Sequence, residues 1–308
     1  MSYELRHDEK LGEGLRRICR KQIENAIAIA KGQKETDETP VHQTRKHLKK
    51  ARAALRLVRK EIGHGLFERQ DHSLRDAGRL ISDIRDAEVR LQTVRQLQNI
   101  TQRRGRGLYR ELEKMLMLEL ENFIMAFAEW QTQAVPMLEE TKAAIDGWAV
   151  NQLSCKQLRR AVQVTYKRGC DALAEARASS SAAKFHEFRT EAKTLGYQLR
   201  ILRPVNPVVL KTLSGELRSL GDLLGRAHDL SFLDQRLRDE NGKAEWQREG
   251  HKILAVIEVS AGDLQRGAAE LGERFFAERP RDFGARVATW LDDWASGTSP
   301  SVAEALVS

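Results

Sequence analysis

The chain has 308 residues, 41% of them hydrophobic, 31% charged and only 6% aromatic, with six prolines, a balance that disfavours a sheet-rich fold and favours long helices with charged outer faces. A net charge of +8 and a pI near 9.5 direct attention to anionic partners such as nucleic acid, acidic membrane or phosphate polymers. The three cysteines, Cys19, Cys155 and Cys170, are too scattered for a disulfide framework or a zinc-ligand pattern, and neither an export signal nor an apolar run of about 18 residues is present, so the expectation is a cytoplasmic protein without a membrane partner or a cofactor.

A first helix is expected over Leu11 to Lys31, followed by the polar linker "GQKETDET". Thr39 and Pro40 then supply an N-cap and an N1 proline for a second helix that stops at "GHG", Gly63 to Gly65. A third should run from Gln70 to Leu97, with a break at "RRGRG" (Arg103 to Gly107), and a fourth from there to Gln133, with Pro136 opening a shorter piece. The rhythm then restarts with Leu158 to Ala178, a linker at "ASSSAAK", Phe185 to Arg203, a stop at "RPVNP", Pro207 to Glu240 ending at "NG", and Lys243 to Glu278. From Phe283 onward a short helix with a frayed end is expected.

The restart is also a restart of sequence. A shift of 143 or 144 residues lays Leu15–Arg17 on Leu158–Arg160, both "LRR", and His42–Arg59 on His186–Arg203 with His, Arg, Lys and Leu in register. It lays "LRDAGRLISDIRD" (Leu74 to Asp86) on "LRSLGDLLGRAHD" (Leu217 to Asp229) as well. Three ordered blocks at nearly one offset indicate a tandem duplication of a helical unit, here residues 1–150 and 151–280 of a single domain, with a tail over 281–308. The fold class expected is all-α: two helical bundles related by a pseudo-twofold axis.

The second helix carries eight Lys or Arg before its first acid, Glu61. At the helical period, Arg45, Lys46, Lys49, Arg56 and Lys60 fall within about 60° of His42, while Leu48, Ala51, Leu55, Val58 and Ile62 fall opposite. In the second copy His186, Arg189, Lys193 and Arg200 share the corresponding stripe. One basic stripe alone is an ordinary solvated helix face. A matched core explains matched leucines, but it does not explain matched His, Arg and Lys.

These features, H-x-x-R-x-x-x-K/R in each half, "KTLGY" at Lys193 to Tyr197, and the Arg85–Asp86 and His228–Asp229 pairs, resemble the CHAD family, the conserved-histidine α-helical domain, from about Leu11 to Ala277. The resemblance implies an all-helical fold of two four-helix bundles in pseudo-twofold arrangement with a basic groove or pore between them, binding of inorganic polyphosphate, and localisation to polyphosphate granules. The chain departs from the pattern at Gly196, where many members carry Arg, and at "KKAR", Lys49 to Arg52.

The chemistry is compatible with that implication. A linear polyphosphate offers charge and no bases, and Lys and Arg alone can match it. Single-strand nucleic-acid binders interleave aromatic residues for base stacking, whereas His42 to Lys60 contains none. A nucleic-acid backbone is the second reading, and an accessory subunit of a phosphohydrolase the third. The expected polyphosphate contacts are His42, Arg45, Lys46, Lys49, Arg52 and Arg56 in the first copy and His186, Arg189, Lys193 and Arg200 in the second. Arg16, Arg17, Arg79 and Arg226 join from neighbouring helices, with Tyr197, Asp86 and Asp229 in support. His42 and His186 stand at helix starts, where free N–H groups favour anions, although either could equally satisfy a neighbouring carbonyl. No metal site is expected, because His42 and His47 face different sides of their helix. Asp86 and Asp229 lie in different repeats beside basic residues, so orientation of a cation is a better role for them than holding a catalytic metal, and no enzymatic activity is expected.

Overall fold

The computed structural model describes residues 3–35, 38–101, 106–179, 181–239 and 247–298, and helix follows helix from Leu11 to Ala295 with no strand among the described residues. Helix α1 spans Leu11–Ala30 and α2 spans Pro40–Leu57. Thr39 caps α2 by accepting a hydrogen bond from His42 N at 3.3 Å, with Pro40 at the first helical position. Gly63 does not end this helix; it has φ of 81°, in the left-handed region open to glycine, and it turns the chain into α3, His64–Arg79.

The single helix expected over Gln70 to Leu97 is divided. α3 stops at Arg79 and α4 runs Ser82–Thr101, with Ser82 Oγ donating to the Arg79 carbonyl at 2.6 Å across the break. α5, Arg106–Ala144, passes through Pro136 without the expected interruption. Trp130, Ala134 and Leu138 are buried along that stretch, and their packing holds the helix together where proline removes one hydrogen bond. Then come α6 (Cys155–Ser179), α7 (Ala182–Ile201, capped by Ser181), α8 (Pro207–Asp239), α9 (Gln247–Phe275) and α10 (Pro280–Ala295). The expectations for residues 103–105, for Asn241–Gly242 and for the chain end after Thr298 lie outside the described residues.

The starts of α6, α7, α8 and α9 stand to those of α1, α2, α3 and α5 at close to the spacing that aligns the sequence blocks. The hydrophobic cores, however, do not divide one per half. One continuous core takes side chains from α1, α2, α3, the second half of α5, α6, α7, the first half of α8, the second half of α9 and α10. A second, smaller core is built jointly by α4, the first half of α5, the second half of α8 and α9, through residues such as Leu91, Leu112, Leu233 and Ile257. The reason is length: α5 has 39 residues and α8 has 33, so at 1.5 Å per residue each reaches about 50–60 Å and outruns a single core. Arg90 of α4 and Arg236 of α8 both pair with Glu119 of α5 beside this second core.

For the site, the important crossing is that of α2 against α7. Gln198 Nε2 donates to the Ala53 carbonyl at 3.3 Å in the buried contact, and Arg56 reaches Glu191 at 3.4 Å. The two helices with matched basic stripes therefore touch each other, and the stripes face one common space.

Candidate anion-binding site

That space is a cavity of about 690 Å³ enclosed by α2, α4, α7 and α8. From α2 come His42, Arg45, Lys46, Lys49 and Lys50, residues i, i+3, i+4, i+7 and i+8 of one helical face, while Leu48, Ala51 and Leu55 on the other face are buried in the core. α7 contributes His186, Arg189, Lys193, Tyr197 and Arg200. Arg85 and Asp86 enter from α4, Arg218, Asp222, His228, Asp229 and Phe232 from α8, Glu38 from the segment before α2 and Arg203 from the turn after α7.

Glycines on α8 make room for the long side chains of α7. A Cβ at Gly221 would lie 3.1 Å from Cε of Lys193, and one at Gly225 would lie 3.5 Å from the Arg189 guanidinium. On the other side Gly78, which the sequence aligns with Gly221, accepts a hydrogen bond from Arg45 through its carbonyl. At Gly196 a Cβ would stand 3.4 Å from Leu217, an ordinary van der Waals contact, so this glycine is not required by close packing against α8.

Ten Lys or Arg side chains and four carboxylates line the cavity. Glu38 pairs with His42 Nε2 at 3.0 Å and with Lys46 at 3.5 Å, Arg85 with Glu88 at 3.1 Å, and Arg203 with Glu4. Lys49, Arg189 and Lys193 have no carboxylate within 4 Å among the described residues. The Arg189 Nε is buried with no hydrogen-bond partner. Protein walls that keep bulk water away, reinforced by Arg189, Arg45 and Lys193, pull the Lys49 ammonium down to about 7. Burial and Arg189 bring Lys193 to about 8, and burial with Arg200 brings Lys50 to about 8. Burial also lowers His42 and His228 to about 4, with Arg85 adding at the first and His186 at the second. The His186 and His228 rings lie 4.4 Å apart, centroid to centroid. Burial raises Asp86 and Asp229 despite Arg45 and Arg189 respectively. The arrangement crowds positive charge around a hollow, and an entering anion would relieve it.

Of the residues expected at the site, His42, Arg45, Lys46, Lys49, His186, Arg189, Lys193 and Arg200 line this cavity, with Tyr197, Asp86 and Asp229. The others lie elsewhere. Arg52 holds Asp71 through two hydrogen bonds of 2.8 and 2.9 Å. Arg56 is tied to Glu191. Arg17 pairs with Glu9, and Arg16 donates to the Trp148 carbonyl, both on α1. Arg79 sits exposed, 3.8 Å from Asp76, and Arg226 is exposed on α8 away from the cavity. His47 is buried on the far side of α2, its Nδ1 2.8 Å from Gln22 Oε1.

The sequence reading missed Lys50, Arg203, Arg218 and Phe232. Arg85 and His228 carried a signal, since each precedes the aspartate that repeats between the halves. Lys50 sits eight residues after His42 on the same face, and Arg203 and Arg218 are each matched between the halves, by Arg59 and Arg75. Among the described residues no group of three or more His, Cys, Asp or Glu could hold a metal ion, and no helix is long and apolar enough to cross a membrane.

A family model described as the CHAD domain matches residues 17–238. The fold is similar to the crystal structure of the CHAD domain from the plant Ricinus communis, with a TM-score of 0.50, 19% identity and 95% of each chain covered. No curated protein matches. With its fold shared over nearly the whole length and the family match spanning most of its residues, the chain belongs to the CHAD family.

Proposed function

We propose that the cavity binds inorganic polyphosphate and that the protein is a binding module with no reaction of its own. The observation that carries this reading is the contrast in pairing: among the described residues Lys49, Arg189 and Lys193 face the hollow with no carboxylate within 4 Å, while Arg17, Arg52 and Arg56 outside it are each held by one. Unpaired cations that converge on one volume cost folding free energy, and a multiply charged anion supplies the missing charge through charge-assisted hydrogen bonds. A nucleic acid is the weaker reading. The aromatic side chains on the wall are not free platforms for base stacking, because Tyr197 packs edge-on against Tyr3 and Phe232 lies against His228 and Arg90.

The test is a calorimetric titration with polyphosphates of graded length, with single-stranded RNA as competitor at fixed salt. Affinity should climb once the chain reaches both Lys49 and Lys193, fall linearly with log salt as for other polyanions, and resist RNA. Binding that ignores salt, or RNA that displaces polyphosphate at equal charge, overturns the reading. The same reading places the protein at polyphosphate granules in the cell, which a fluorescent fusion would test against a strain unable to make the polymer.

A further inference from the structure

We propose that Lys49 is a site of acylation by small acyl phosphates, the surrounding cations holding the donor's phosphate beside the ε-amine. This inference rests on the reading of the cavity as a phosphate site and adds a modification to it. Three observations carry it. Lys49 is solvent-exposed within the cavity, so a small donor can reach its nitrogen. Among the described residues no carboxylate lies within 4 Å to occupy that nitrogen, which leaves its lone pair available once the proton is lost. The groups facing it are cations or imidazoles on every packed element: His42 and Arg45 on α2, Arg85 on α4, His186, Arg189 and Lys193 on α7, and His228 on α8. The carboxylates on the same walls are Asp86 beside Arg45, Asp222 and Asp229 beside Arg189, and Glu38, which pairs with His42 and Lys46.

A lysine surrounded by other cations inside a protein-walled cavity is a setting in which an ε-amine acts as a nucleophile at neutral pH. The step balances without a further reagent. The free amine attacks the carbonyl carbon of the acyl phosphate, the bond from that carbon to the phosphate oxygen breaks, inorganic phosphate leaves with the electron pair, and the nitrogen releases a proton to water. Amide and phosphate are the products. Lys193 shares the cavity but is a poorer candidate, since it is half-buried and its stem lies against Gly221. The amide removes one positive charge from the middle of the proposed polyphosphate site, and a bound polymer in turn shields the amine.

The experiment incubates the full-length protein with acetyl phosphate at about pH 7.5 and follows each lysine by mass spectrometry, with the exposed Lys114 and Lys211 as internal references. Lys49 should be acetylated on the order of tenfold faster than either, the gain in free amine being partly offset by its lower intrinsic nucleophilicity. An uncharged acetyl ester should show a smaller preference. Saturating polyphosphate should remove the preference and leave Lys114 unchanged. Acetylation of Lys49 no faster than Lys114, or an equal preference with the uncharged ester, overturns the proposal. If polyphosphate binds yet Lys49 is not favoured, the acylation proposal falls and the binding function stands. If Lys49 is favoured by acetyl phosphate but polyphosphate neither binds nor protects, the polyphosphate reading falls and the acylation site stands.

Discussion

The cations inside the cavity and those just outside it come from the same helix and the same residue types, but the fold treats them oppositely. Lys49 and Arg52 are less than one helical turn apart on α2. Lys49 faces a hollow among other cations, and Arg52 turns to α3 and is clamped by Asp71 in a two-pronged pair. A basic residue closes an ion pair when the opposite helix offers a carboxylate and stays available when it offers more cations.

The sharpest way to break this comparison is charge reversal. Lys49→Glu or Lys193→Glu should weaken polyphosphate binding on the order of a hundredfold, since each variant removes one charge-assisted contact and adds a repulsion. Helix content by circular dichroism should stay unchanged. If either variant binds as the wild type does, the cavity is not where the polymer sits. The mirror-image substitution is Arg52→Ala. It should leave binding within about twofold and lower the stability by about 1–2 kcal/mol in urea unfolding, the pair being only partly shielded from solvent.

pH separates the two groups further. The Arg52 pair holds Asp71 below the usual carboxylate range despite the opposing effect of burial. Its contribution to stability is thus present above the unfolded pKa and is lost as pH falls through the lower folded value. Lys49 works in the other direction. Its folded-state pKa of about 7 lies below the unfolded value, so between the two the unfolded chain binds more protons, and the free protein should gain stability as pH rises from about 7 toward 10. Polyphosphate needs the ammonium form, so affinity should drop by roughly tenfold over the same rise, with protons taken up on binding above about pH 7. Titrations in buffers of different ionisation heat would count them. No proton uptake at about pH 8 would mean that Lys49 is already charged without the ligand.

The smallest effect expected is at Gly221. Replacing it with Ala puts a methyl group against the flexible stem of Lys193, which can shift by a few tenths of an ångström. Binding should weaken only two- to threefold, and the gain in helix propensity should leave thermal stability equal or slightly higher. A large loss of binding would show that the position of Lys193 is held more tightly than its flexible stem suggests.

Much of the fold was legible because the helix signals are local. Thr39 and Pro40 announce the start of α2, the alternation of Leu48, Ala51 and Leu55 with Arg45 and Lys49 sets its two faces, and Pro207 stands at the first position of α8, whereas α10 begins at Pro280, three residues before the expected start at Phe283. The errors arose where tertiary packing overrode a local preference. Pro136 does not interrupt α5 because the core around Trp130 and Leu138 holds both sides of it, and the long helix expected from Gln70 is broken between Arg79 and Ser82 although its counterpart α8 runs straight through.

By itself the sequence determined that the chain is helical, that α2 and α7 carry matched stripes of His, Arg and Lys, and which side of each helix is apolar, because these properties follow from residue order at a period of 3.6. Only the tertiary structure decided which of those cations are spent on carboxylates and which face the cavity. That depends on what the neighbouring helix presents across the gap: Asp71 of α3 opposite Arg52, but Arg189 and Lys193 of α7 near Lys49. It also decided that the two halves share their cores, because α5 and α8 are longer than one core can cover.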